Sequence, residues 1–273
     1  MPTTTVTPDA AAPHATTRRT VLRAAAWTAP AVSMVVAVPA YAAASGPVAC
    51  ADAAYEIRWA SHYNAQARTA TARLTRAVGS GALGTAPLTM VVSSSFQGSL
   101  VAGSTGAYSN LALSPGNVGG TGGRGLTIMQ QAASRVTSLS TPHSQHRQEV
   151  TLVFSRPVSN LAFTLTDVDS LDPTRGNGQY QDRVSVSGAP SGARANQVTG
   201  AGTAGDPWRA TGANVEQDPV SGSRGNVVVS YAGRPASDVY RITYWNDQTG
   251  TLASRGLQGI FLTDLTFTAA SCA

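Results

Sequence analysis

The chain has 273 residues, of which 42% are hydrophobic and 12% charged, and its formal net charge is +5. That length is ample for one substantial core. All its basic side chains except histidine are arginines, spread without a run or stripe, which excludes a nucleic-acid binder, where basic residues cluster.

The first informative segment is Thr17-Arg18-Arg19-Thr20-Val21-Leu22-Arg23. A moderately apolar stretch over 24–38 follows, interrupted by Thr28, Pro30 and Ser33, and then the small residues Ala40 and Ala42. This is the layout of a twin-arginine export signal with a cleavage site. The expected division is a signal peptide over 1–42 and a secreted domain over 43–273. A membrane anchor needs ~20 apolar residues, more than this run supplies. A lipoprotein is disfavoured because Cys50 lies well past the apolar run. The expectation is an extracellular protein that meets the export machinery and keeps no stable membrane anchor. Arg18, Arg19 and Arg23 against Asp9 give the leader +2, which leaves +3 on the remainder.

Cys50 and Cys272 stand at opposite ends of the secreted part. In an oxidising setting a pair so placed is expected to form one disulfide that ties the termini together. The first and last strands would then have to end close to each other.

Between the cysteines, short alternating segments dominate. Tyr55, Ile57 and Trp59 alternate with charged residues, as in a strand; 65–77 has helical Ala and Arg content, but Thr69, Thr71 and Thr75 lean toward a strand. Candidate strands follow at 88–95, 111–113 and 126–129. Stronger ones carry Val150, Leu152 and Phe154 on one face, and Leu161, Phe163 and Leu165 on another. Val184 with Val186, then Val227, Val229 and Tyr231, then Tyr240, Ile242 and Tyr244, and finally 260–267 repeat the pattern. Gly, Ser, Pro, Asn and Asp clusters separate them, and no long segment holds a helical period. The expected fold is all-β, an antiparallel β-sandwich or jelly roll in a single domain.

Three stretches fit G-x-G-x-x-G: Gly79/Gly81/Gly84, Gly120/Gly122/Gly125 and Gly200/Gly202/Gly205. A dinucleotide site needs that spacing between a strand and a helix. No helical pattern follows any of them, so they read as glycine-rich composition.

The most distinctive stretch runs from Phe154-Ser155-Arg156-Pro157-Val158 through Leu161-Ala162-Phe163-Thr164-Leu165-Thr166-Asp167-Val168-Asp169, followed by Tyr180-Gln181-Asp182-Arg183-Val184-Ser185-Val186. It resembles a β-sandwich module of bacterial secreted and surface proteins with F-x-x-PV-x-x-L-x-F-x-L-x-D-x-D before Y-x-D-x-V-x-V. With the leader, the chain looks like the twin-arginine-exported secreted proteins of actinobacteria, most of them uncharacterised. The resemblance covers the leader and roughly 148–187. It implies an extracellular sandwich and transfers no catalytic residues.

Asp167, Asp169, Asp172 and Asp182 form a candidate calcium site, since calcium takes six to eight oxygens from carboxylates and loop carbonyls, here near Asn177. The competing reading is that Asp167 and Asp169 cap the turn and pair with Arg175 or Arg183. No other cofactor is indicated. His143 and His146, with His62 elsewhere, lack a guaranteed third ligand for zinc. There is no G-x-S-x-G, and Glu56, Glu149 and Glu216 carry no spacing that marks a glycosidase pair.

Trp208, beside Asp206, Pro207 and Arg209, and Trp245, beside Asn246 and Asp247, are candidate ligand-binding residues. An aromatic platform with polar neighbours suits a sugar ring; core packing is the competing role. The leading expectation is a secreted, non-enzymatic sandwich that binds an extracellular glycan or cell-surface component through loops at one end. The alternatives are an extracellular polysaccharide hydrolase on a jelly-roll scaffold and a structural envelope component.

Overall fold

The computed structural model describes residues 50–63, 72–79, 88–133, 145–171, 180–247 and 258–271, with backbone only at 72–79. The leader residues Arg18, Arg19, Ala40 and Ala42 lie outside them, as do Asp172, His143 and Cys272. Ala49–Ala273 forms one compact unit. Among the described residues no helix is long and apolar enough to cross a membrane.

The strands in chain order are β1 (Asp52–Ile57), β2 (Ala72–Gly79), β3 (Leu88–Phe96), β4 (Leu100–Ala102), β5 (Leu113–Asn117), β6 (Arg124–Ala132), β7 (Arg147–Thr166) and β8 (Ser170–Leu171). They continue as β9 (Tyr180–Val186), β10 (Ser191–Arg194), β11 (Val198–Thr199), β12 (Trp208–Ala210), β13 (Val227–Ser230), β14 (Ser237–Asn246), β15 (Gln258–Leu262) and β16 (Leu265–Ala270). One short helix, α1 (Trp59–His62), follows β1. The strands pair antiparallel throughout, in an open, sandwich-like all-β domain, as the alternation predicts.

Strand β7 organises the two layers. Its first half pairs with β14 on one side (Ile242 opposite Val150) and β3 on the other (Val92 opposite Leu152). Beyond β14, that layer continues through β9 and β12 to β11. The second half of β7 pairs with β16, β13 and β15. One strand thus belongs to both layers, as corner strands do when they bend.

The bend has a local cause. The sequence reads as two strands separated by Pro157, with even-numbered residues inward before it and odd-numbered ones inward after it. The structure keeps one strand and changes parity at Asn160, whose φ is 52°. Thr266 faces Ala162 while Thr268 faces Ser159, so β7 carries one extra residue there. An extra residue in the left-handed region is a β-bulge, and asparagine tolerates that conformation better than most residues. Val150, Leu152 and Phe154 therefore share one core with Leu161, Phe163 and Leu165.

Aromatics join the layers at that corner. Phe154 packs edge-on against Phe267 (5.0 Å between centroids) and Tyr240 (5.9 Å), and Tyr240 against Tyr231 (4.7 Å). Trp59 departs from the expected strand. Its backbone N–H donates to Asp264 Oδ1 at 2.9 Å and its Nε1–H to the Thr263 carbonyl at 2.7 Å, which holds the single turn of α1 beneath the indole. Of the segment 65–77, the described part belongs to β2.

The glycine-rich stretches serve turns and packing. Gly119, Gly120 and Gly122 take positive φ in the β5–β6 connection, and Gly125 lies within β6, so no helix follows. After Gly205 comes β12.

Candidate functional site

Past the end of β7, Asp167 takes φ 69° and the chain turns out of the sheet. Val168 N–H donates to the Gly225 carbonyl (3.1 Å), so the turn is anchored on the loop before β13. Asp169 follows, and β8 pairs with β9, placing Ser170 opposite Gln181 and Leu171 opposite Tyr180. The two aspartates do not simply continue the strand, yet both reach the same cleft.

Asp182 has a different place. Its carboxylate is 1% exposed, accepting from Tyr244 Oη at 2.6 Å on Oδ1 and from Asp169 N–H at 3.2 Å on Oδ2. Asp182 N–H in turn donates to the Asp169 carbonyl at 3.0 Å. This aspartate is an internal strut that fixes Asp169, and both its oxygens are already engaged. Burial pushes its carboxyl well above the ordinary range, with the nearby Asp169 charge adding to that.

Asp169 accepts from the Gln217 N–H at 2.6 Å on Oδ2, and from Tyr180. Its carboxyl is pushed up to about 6, chiefly by burial, against the opposing pull of the Gln217 and Tyr180 donors. Asp167 also lies well above the ordinary range, from burial first and then from Asp169, Asp218 and Glu216. Its Oδ1 is buried with no hydrogen-bond partner among the described residues. Such an atom costs roughly 1–3 kcal/mol unless something donates to it.

These carboxylates line a cleft of about 270 Å³. Its other walls come from remote segments: Tyr108 from the loop before β5, Met129 from β6, Glu216 and Pro219 from the loop before β13, and Phe261 from β15. The Tyr108 and Phe261 rings meet at 5.5 Å with a 59° tilt. Asp218 belongs to the loop before β13. Its Oδ1 accepts from the N–H groups of Val220 (2.9 Å) and Ser221 (2.8 Å), which holds the loop's turn.

The cleft is therefore acidic on one wall and aromatic on the other. Among the described residues no three of His, Cys, Asp or Glu are arranged to hold a metal ion by themselves. Asp172 and Asn177 lie outside those residues. Arg183, expected as a partner for Asp167 and Asp169, pairs instead with Asp247 at 3.1 Å.

The candidate tryptophans separate. Trp208 is 1% exposed, and an added Cβ at Gly192 or Gly202 would run into its indole. The glycines of two neighbouring segments make room for this ring, so Trp208 is a core residue and its face is closed to a ligand. Trp245 is 6% exposed and borders a second cleft together with Asp247. Asn246 is buried, its Oδ1 accepting from Gln181 N–H at 2.9 Å, which locks β14 to β9. It is a structural residue as well.

Reasoning from the sequence finds Asp167 and Asp169 and names Glu216 without placing it, but misses Tyr108, Met129, Gln217 and Phe261. Nothing local distinguishes them, because long-range strand register brings them together. Known protein families, curated proteins and solved structures offer no match to this chain.

Proposed function

We propose that the chain is a secreted, non-enzymatic β-sandwich that binds a glycan, from the extracellular matrix or a cell surface, in the cleft between Asp167–Asp169 and Tyr108–Phe261. The orphaned Oδ1 of Asp167 carries this reading. A carboxylate oxygen that lacks a donor, set across a cleft from an aromatic pair, suits a sugar: a hydroxyl donates to the acid while the C–H face of the ring lies on the aromatics. The strut through Asp182 and Tyr244 holds the acidic wall in place beforehand, so little ordering entropy is lost on binding.

Calcium is a second occupant of the acidic wall. Asp167 and Asp169 would supply carboxylate oxygens, with Asp172 as the expected further ligand. Burial raises the carboxyls of Asp167 and Asp169, and a cation beside them would favour their charged forms. A hydrolase on the same scaffold is the other reading, favoured by Asp169 at about 6 beside the exposed Glu216, because two carboxyls in unequal environments can divide acid and base roles.

The pairing of Cys50 with Cys272 belongs to the same proposal. It is supported by the β1–β16 register, in which Asp52 faces Ala270 and Ser271 N–H donates to the Ala51 carbonyl at 2.8 Å. Extended by two residues, that register would set Cys50 opposite position 272, which lies outside the described residues.

The deciding experiment is a glycan array probed with the full chain, with and without calcium, followed by titration calorimetry on any hit. Binding should weaken at least tenfold in Asp167→Asn and in Tyr108→Ala. New reducing ends in the bound glycan would replace the binding reading with the hydrolase. Wild-type affinity in both variants would remove the cleft from consideration.

A further inference from the structure

The outer face of the β9 layer carries a row of side chains that sets two arginines against each other beside a buried tryptophan. Arg209 on β12 stands directly opposite Arg183 on β9. Arg183 stands opposite Trp245 on β14, and Trp245 opposite Arg147 on β7. Like charges directly opposed across a sheet are destabilising. The consequence is visible at Arg183, whose guanidinium is lowered by burial first, with Arg209 adding to it against the attraction of Asp247.

The row borders a cleft of about 360 Å³, at the small end of ligand sites. Arg183 is held there by Asp247, with Nε and Nη2 each 3.1 Å from Oδ2. Arg209 is held by one nitrogen alone. Its Nη1 donates to Asp206 Oδ1 at 2.6 Å and to the Pro207 carbonyl at 3.0 Å. Among the described residues its Nε and Nη2 have no partner. Those two N–H groups form the planar edge of the guanidinium that matches a carboxylate bidentately.

We infer that this cleft is a second binding site, specific for the carboxylate of an acidic sugar, a uronate residue within a glycan. The Arg209 Nε–Nη2 edge takes the carboxylate and relieves the opposition between Arg209 and Arg183. Pro207 borders the cleft beside it and offers apolar surface to the ring, and Trp245, 6% exposed, lines the cleft without presenting its face. Asp206 and Asp247 on the rim accept sugar hydroxyls, and their charge disfavours a continuous polyphosphate. The site is separate from the acidic cleft. Asp182 and Arg183 are successive residues of β9, so their side chains leave opposite faces of the strand.

The test is titration calorimetry of the full chain with oligogalacturonate, oligomannuronate and oligoglucuronate, each beside its neutral methyl ester. At least one acid should bind, with a loss of tenfold or more on esterification. Arg209→Gln should lose tenfold or more as well, and Arg209→Lys should fall between, because the charge stays while the fork goes. Asp167→Asn should leave uronate binding unchanged, which separates this site from the acidic cleft. Arg209 is one-third exposed, so these variants are expected to fold, and far-ultraviolet spectra check that. Failure of all three acids to bind, equal affinity for acid and ester, tighter binding of a single-stranded oligonucleotide, or an Arg209→Gln variant that binds normally would each overturn the inference.

Discussion

Raising the pH from about 4 to about 7 should weaken the folded state, the reverse of ordinary behaviour for a carboxylate-bearing domain. The perturbed group with a definite value is Asp169, whose carboxyl moves from 3.8 to about 6 on folding, with burial as the main cause. A group raised in the native state holds its proton after the unfolded chain has released it. Its contribution is fully present below about 4 and is lost as the pH climbs through about 6. The difference corresponds to about 3 kcal/mol for this one group. Asp167 and Asp182 are raised as well and act in the same sense. Asp206 and Asp218 are exposed and lowered, by the Arg209 hydrogen bond and by the Ser221 and Val220 N–H donors respectively. They act in the opposite sense and only as the pH falls below about 4. Maximum stability is therefore expected near pH 4. Urea denaturation in the presence of a chelator, at a series of pH values and constant ionic strength, measures the curve. Asp169→Asn keeps an oxygen for the Gln217 N–H and removes the proton. It should flatten the curve between about 4 and 7 by about 3 kcal/mol and be the more stable protein at pH 8. A wild-type stability that rises across this window, or a variant with the wild-type slope, would refute the reasoning.

Calcium at millimolar concentration should raise the melting temperature at pH 8 but not at pH 4.5, where the carboxyls are protonated; no shift at either pH excludes the ion. Gly202 has φ 73° and its Cβ position is occupied by the Trp208 indole, so Gly202→Ala should cost roughly 2–4 kcal/mol by urea denaturation. Gly205→Ala, with nothing within 4 Å, is its control and should be close to neutral. Trp208→Ala should cost roughly 3–5 kcal/mol and leave glycan affinity unchanged at a temperature where the variant is folded. Reduction under native buffer should lower stability by up to about 5 kcal/mol if Cys50 and Cys272 are bridged, and thiol titration before and after reduction checks the pairing.

Much of the fold could be read from alternation, because most strands have one face on a single core. Val150, Leu152 and Phe154 point inward as their spacing requires, and so do Tyr240, Ile242 and Tyr244. What alternation cannot show is that the two runs of β7 belong to one strand. The parity change at Asn160 looks like a break until the partner strand's register is known. Trp59 fails for a related reason: a strand and a single helical turn both bury it, and the hydrogen bonds to Thr263 and Asp264 that decide come from the far end of the chain. Trp208 is settled by Gly192 and Gly202, whose missing side chains leave room for its indole, a match that sequence spacing does not reveal. The acidic turn was legible because Asp167 and Asp169 are close in sequence. The aromatic wall was not, since Tyr108 and Phe261 are separated by most of the domain.

Because β7 doubles back at its bulge, its two termini finish near the same end of the molecule. Arg147 lies across from Trp245, and Ser170, just past the acidic turn, lies across from Gln181 on the strand that holds Arg183. Both clefts are thus borders of one continuous ladder. Amide hydrogens flanking either one should exchange through a common opening event, and a chain that has lost one surface by unfolding will have lost the other with it.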